Sequence, residues 1–176
     1  MNNVTLVNNT ASQYGGGIYF GATSSVVFSS ADRCNIYFNN AFSGNDLYAV
    51  SQTLVVLDTF SVLHPTGYYA TPINNFSFDI QHGKLAQIDA DVYVSPSGNN
   101  ANSGLSSNEP LQTIHHAIMV LFADSLNPHT IHLMPGFYYP TDSETFPVVL
   151  PNYINLAGNK EATLSANDTD YALRVG

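Results

Sequence analysis

The sequence predicts an all-β fold in which short strands coil in stacked parallel turns, a β-solenoid, interrupted by one α-helix. Three observations predict it. Short runs rich in Val, Ile, Tyr and Phe recur through residues 1–62 with no helical periodicity. Apolar residues return about every 20 positions: Val4 and Val26 lie 22 apart, Val26 and Leu47 lie 21 apart, and Ile18 and Ile36 lie 18 apart. Asn and Gly fill the turns between runs, where they tolerate left-handed backbone. A single coil cannot bury its apolar face, so coils must stack.

Residues 1–62 read as the terminal coils of one β-helix, with strands at 3–9, 17–20, 25–29, 35–39, 46–49 and 53–57. Within them, Asn8-Asn-Thr-Ala-Ser-Gln-Tyr-Gly-Gly-Gly-Ile-Tyr19 resembles the repeat of bacterial polymorphic outer-membrane proteins. The resemblance covers roughly residues 3–50. It implies a right-handed parallel β-helix of the pectin-lyase-like superfamily, in a parent protein that is extracellular or at the cell surface.

Residues 63–90 break the pattern at Pro65, Gly67, Pro72 and Gly83, and read as a terminal strand over 75–80 plus a linker. Residues 91–176 read as a capping helix and the first coils of a second β-helix. Asp91-Val-Tyr-Val-Ser-Pro-Ser-Gly-Asn-Asn-Ala-Asn-Ser-Gly104, followed by Pro110-Leu-Gln-Thr-Ile-His-His-Ala-Ile118, resembles the opening segment of pectin-lyase-like proteins over about 90–160. Thr113 can cap a helix running to about Leu126, with Ile114, Ala117, Ile118 and Leu121 on one face. Such a helix is a suitable lid for an open solenoid end, which exposes apolar side chains and strand edges. Ile131 and Ile154 lie 23 apart, as do Leu133 and Leu156, which predicts one coil between them. Last coils, linker and first coils in that order suggest a fragment of a larger repetitive protein. Self-association through edges at 1–9 and 163–176 is the expected consequence.

Composition excludes several functions. The chain has 176 residues, a formal net charge of −9 and only 4 Lys plus Arg, so it offers no phosphate-binding face and nucleic acid is not an expected partner. No run approaches the length of a membrane-spanning segment, so no membrane insertion is expected. The single cysteine, Cys34, forms no intrachain disulfide and shares a strand face with Ile36 and Phe38, which predicts a buried thiol. The N-terminus carries neither a basic region nor an apolar stretch of the kind a signal peptide needs.

Candidate chemistry is sparse. Uronate lyases of the resembled superfamily use Lys or Arg as base with Ca²⁺, and here only Arg33, Lys84, Lys160 and Arg174 are available. Glycoside hydrolysis needs two carboxylates on one face. Asp168 with Asp170, and Asp89 with Asp91, are spaced i, i+2, about 6.5–7 Å on a strand. A solvated turn and a linker account for the same residues and are the preferred reading. Six histidines raise a metal-assisted hydrolase, with His115 and His132 as candidates, but His129 and His132 should point to opposite faces of a strand. No cofactor is expected. Ca²⁺ is the one ion the loop chemistry suits, through Asp89, Asp91, Asn99, Asn100 and Asn102, against the plain reading of an Asn/Gly turn.

Tyrosine is the most suggestive surface residue. If Ile18 and Ile36 face inward, Tyr19 and Tyr37 face outward one coil apart, and Tyr48 beside Leu47 is a third exposed ring. Such rings can lie against sugar faces, or can form a ladder that only stabilises the sheet. The expectation is therefore a structural or binding segment that takes carbohydrate or a surface protein. The alternative is a polysaccharide hydrolase or lyase, or a metal-assisted hydrolase.

Overall fold

The computed structural model describes residues 1–23, 26–141, 144–166 and 172–175; Asp168, Asp170 and the expected strand start at Tyr171 lie outside the described residues. The chain divides into two compact units, Met1–Gln87 and Ile88–Gly176. Each is built of stacked parallel coils, as the sequence predicts.

The first unit contains β1 (Thr5–Val7), β2 (Thr10–Tyr14), β3 (Ile18–Phe20), β4 (Cys34–Tyr37), β5 (Asn40–Ser43), β6 (Leu47–Ala49), β7 (Thr53–Phe60), β8 (Ala70–Thr71) and β9 (Phe76–Gly83). They form three parallel sheets, ordered β1-β4-β7-β9, β2-β5 and β3-β6-β8. Alternation places Cys34, Ile36, Leu47, Ala49, Val55 and Leu57 fully inside, with Phe60 closing the interior. Cys34 is a buried free thiol. Residues 63–90, read from sequence as a terminal strand plus a linker, contribute β8 and β9 to these sheets.

The coil length differs from the expected 20. Leu6 pairs with Ile36 and Ile18 with Leu47, sequence offsets of 30 and 29. The next coil is shorter: Leu47 pairs with Ala70 and Thr53 with Phe76, each an offset of 23. Val4, Val26 and Leu47 therefore do not repeat, nor do Ile18 and Ile36. Residues 26–29 form no strand; Phe28 packs against Phe20 at 6.4 Å, while Val27 stands in solvent. Pairing fixes only the strands, so turns of different length fit between the same sheets.

The second unit contains β10 (Val92–Val94), α1 (Ile114–Val120), β11 (His129–Leu133), β12 (Gly136–Tyr138), β13 (Val148–Leu150), β14 (Ile154–Gly158), β15 (Ala162–Leu164) and β16 (Leu173–Val175). Its parallel sheets are β10-β11-β14, β12-β15 and β13-β16. Val92, Val94, Leu111, Ile131 and Leu133 face inward with the apolar side of α1, formed by Ile114, Ala117 and Ile118.

Thr113 caps α1 as its sequence position predicts, its hydroxyl accepting from the His116 N–H at 3.1 Å. The helix stops at Val120 rather than near Leu126. Leu121 turns extended and bridges to Ile88, and the Phe122 N–H donates to the Ile88 carbonyl at 2.9 Å. Strand-type bonding thus captures the chain where continued helix would leave Ile88 unpaired. The coil register also differs from expectation: Ile131 pairs with Leu156 and His129 with Ile154. The two-residue offset preserves side-chain parity, so the inward-facing set is unchanged.

Candidate functional site

The first unit carries an aromatic platform. Thr10-Ala-Ser-Gln-Tyr14 ends in the Gly15-Gly16-Gly17 turn, which carries the chain from the β2-β5 sheet into β3. Gly15 has φ +58°, and a Cβ at Gly16 would meet the Asn40 and Asn45 carbonyl oxygens at 2.5 Å, so the turn admits no side chain. This compact turn sets Tyr14 and Tyr19 with ring centroids 6.3 Å apart. The register then places Tyr48 beside Tyr19, 5.5 Å away and within 5° of parallel, and 4.5 Å from Tyr14. Tyr19 is 52% exposed and Tyr14 44%, while Tyr48 is half-buried between them.

Tyr37, expected in the same row, is elsewhere. It belongs to β4, whose neighbours are β1 and β7, and the Lys84 ammonium lies 4.5 Å from its ring centroid. Its displacement follows from the coil length, because Tyr19 repeats at Tyr48 and not at Tyr37. Tyr14 takes its place in the cluster. The signal that could have found it was the parallel between Ala11-Ser-Gln-Tyr-Gly15 and Ala41-Phe-Ser-Gly44, each followed closely by an Ile-Tyr or Leu-Tyr pair.

A buried polar network fixes the turns that carry these rings. Asp46 is fully buried. Its Oδ1 accepts from the Asn39 backbone N–H at 3.0 Å and from Asn39 Nδ2 at 2.9 Å, and its Oδ2 accepts from the Ser61 hydroxyl at 2.6 Å. Its carbonyl accepts from the Gly17 and Ile18 N–H groups, both at 3.0 Å. Burial pushes the Asp46 carboxyl up to about 6 despite these donors. Asn39 extends the network to Asn9, whose backbone and side-chain N–H groups both donate to its Oδ1.

The second unit gathers candidates that the sequence left scattered. Asp91, just before β10, accepts from the Thr130 N–H at 2.8 Å, and His132 Nε2 lies 3.1 Å from its Oδ2. His129 Nε2 lies 2.8 Å from Asp89, and its Nδ1 is 3.9 Å from Asp91. The two histidines thus converge on one acid, although an i, i+3 spacing on a strand predicts opposite faces. His129 is the first residue of β11, where the chain is only entering the sheet. The Tyr93 ring stacks on His132 at 5.1 Å and 25°. The Thr130 N–H and the histidines hold the Asp91 carboxyl below its ordinary range.

The other sequence candidates serve local structure. His115 packs at the start of α1 with Nδ1 3.0 Å from the Thr145 hydroxyl, and burial lowers its pKa. Asn99 Oδ1 accepts from Ala101, Asn100 Oδ1 accepts from Gln112 and Thr113, and Asn102 Nδ2 donates to the Pro110 carbonyl. These amides are spent on the bonds of the loop itself. Among the described residues, no group of three or more His, Cys, Asp or Glu is placed to hold a metal ion. Arg33 is committed to a bidentate pair with Asp79, its Nη1 and Nη2 at 3.0 and 2.8 Å from the carboxylate.

The comparisons with known proteins bear on the second unit. Residues 96–168 match the family described as protein of unknown function (DUF1565). That family is associated with parallel β-helix proteins, in agreement with the observed coils. No curated protein and no solved structure matches the chain. The match takes in α1, β11 and both histidines of the Asp–His cluster, and begins after Asp89, Asp91 and Tyr93. Among the described residues, no helix is long and apolar enough to cross a membrane.

Proposed function

We propose that this β-helical chain is a carbohydrate-binding segment of a secreted or cell-surface protein, and that Tyr14, Tyr19 and Tyr48 form its binding platform. The observation that carries this reading is the solvent-facing ring cluster, in which Tyr19 leaves half its surface in water instead of packing it away. A ladder serving only sheet stability would gain more from burial. Pyranose rings present flat C–H faces that pack on aromatic rings, while phenol hydroxyls supply hydrogen bonds at the rim. The net charge of −9 disfavours polyanionic chains, so the expected ligand is a neutral glycan.

Calorimetric titration with neutral gluco-, xylo- and manno-oligosaccharides tests the reading. Saturable binding is expected, with Tyr19→Ala and Tyr48→Ala each weakening it about tenfold, in line with the worth of a single ring contact. Tyr37→Ala should bind as wild type, because its ring lies on a different sheet. Absence of saturation with every sugar, or equal loss in all three variants, would overturn the platform.

A further inference from the structure

The Asp–His cluster of the second unit has a feature that ion pairing alone does not explain. An ionised Asp91 only accepts hydrogen bonds, so the Nε2 of His132 that faces it carries the hydrogen. Nδ1 of His132 then holds a lone pair. It has no partner among the described residues, and 36% of the side chain is exposed. The imidazole is fixed on two sides, by Asp91 and by the Tyr93 ring stacked 5.1 Å away. Asp91 is fixed in turn by the Thr130 N–H at 2.8 Å and flanked by His129. An oriented imidazole with one open basic nitrogen is the arrangement of a general base.

The surrounding face limits the substrate. Tyr93 pairs with His132, and Thr130 with Asn155, on the sheet β10-β11-β14, so the Thr130 hydroxyl and the Asn155 amide share the outward face with His132. Both are available to bond an oxygen that gains charge. Asp89 and Asp91, 73% and 49% exposed, repel anionic substrates. Glycoside cleavage would need a pair of carboxylates as acid and base, whereas both acids here are engaged with imidazoles. An ester carbonyl needs only an activated water.

We propose that His132 is the general base of a hydrolytic site for small neutral O-acyl esters, with Asp91 as its positioning residue. His132 Nδ1 takes a proton from water as the water oxygen bonds to the carbonyl carbon. The tetrahedral intermediate collapses with cleavage of the carbon–oxygen bond to the alcohol. His132 returns the proton to the departing alkoxide, leaving a carboxylic acid and an alcohol. No metal and no redox partner enters the balance.

The full chain is assayed with 4-nitrophenyl acetate and, by acetate release, with glucose pentaacetate. Saturable turnover of both, unaffected by chelator, is expected. His132→Gln should lower kcat/KM roughly 100-fold, the low end of what a general base supplies. Asp91→Asn should lower kcat about tenfold and shift the pH profile, a readout that a purely structural role would not move. Added imidazole should restore part of the rate lost in His132→Gly. His82→Gln removes another exposed imidazole, paired with Asp58 in the first unit, and should leave the rate unchanged. Wild-type turnover no faster than equimolar free histidine, or equal losses in His82→Gln and His132→Gln, would overturn the proposal. Ester turnover is read apart from glycan binding, so the glycan platform and this site stand or fall separately.

Discussion

Asp46 is expected to add to the stability of the wild-type chain as the pH falls from 7 to 4, and Asp46→Asn is expected to remove that share of the pH dependence. Folding moves the Asp46 carboxyl from its ordinary 3.8 up to about 6, because burial penalises its charge more than the Asn39 and Ser61 donors repay. Between those two pH values the folded state holds a proton that the unfolded state has lost. Stability from this group is therefore fully present below about 4 and is lost as the pH rises through 6. Two pKa units correspond to about 3 kcal/mol. An asparagine at this position is neutral throughout, can accept from Asn39 and can donate to Ser61, so its contribution should be flat across the window. Asp46→Ala should behave differently. It leaves the Asn39 N–H and the Ser61 hydroxyl without their acceptor, while Asn39 Nδ2 keeps the Leu6 and Tyr37 carbonyls, at a cost of about 3 kcal/mol measured at pH 4. Denaturant unfolding followed by circular dichroism at pH 4 and 7 checks all three chains. A stability difference between wild type and Asp46→Asn that does not change with pH would refute the assignment.

The same network explains what the sequence could and could not reveal. Alternation was legible at Cys34, Ile36, Leu47, Ala49 and Leu57, which are inside as a period of two requires, but not at Phe38, which leaves the strand at φ +56° and is exposed. The Thr113 cap was legible because a hydroxyl before an apolar run has few other uses. Coil length was not. Leu6 to Ile36 is an offset of 30 and Thr53 to Phe76 an offset of 23, since the turns between sheets carry no constraint on length beyond closure. That variability hid the Tyr19–Tyr48 pairing and suggested Tyr37 instead. Asp46 opens the run read as a strand over 46–49, and nothing local marks its side chain as buried. Its burial depends on Ser61 and Asn39, which the coiling brings against it. The Asp–His cluster was hidden for the same reason: Asp91 and His132 lie 41 residues apart, and only the β10–β11 register makes them neighbours.

Removing Glu144 is expected to unseat the helix that packs over the second unit's interior. This side chain is almost fully buried, with Oε2 accepting from the Ile114 N–H at 2.6 Å and Oε1 from the His115 N–H at 2.9 Å. Those are two of the N–H groups that the first turn of a helix cannot satisfy internally. The Thr113 hydroxyl serves the His116 N–H, so Glu144 completes the cap from a loop 30 residues downstream of Ile114. Glu144→Ala orphans both donors beside the buried Ile114, and the expected cost is about 3 kcal/mol. Glu144→Gln keeps one acceptor oxygen but turns an NH₂ towards the other donor, so it should cost less than the Ala variant while still destabilising. Burial raises the Glu144 pKa above its ordinary value in spite of these N–H groups. The protonated form is thus favoured in the folded state, and the stabilisation from that shift is present at low pH and lost as the pH rises through the folded-state pKa. Amide hydrogen exchange localises the effect: Ile114, His115 and the α1 amides that follow should lose protection in Glu144→Ala, while amides of β4 and β7 in the first unit keep theirs. Unchanged protection at Ile114 and His115 would show that the helix start does not depend on this carboxylate.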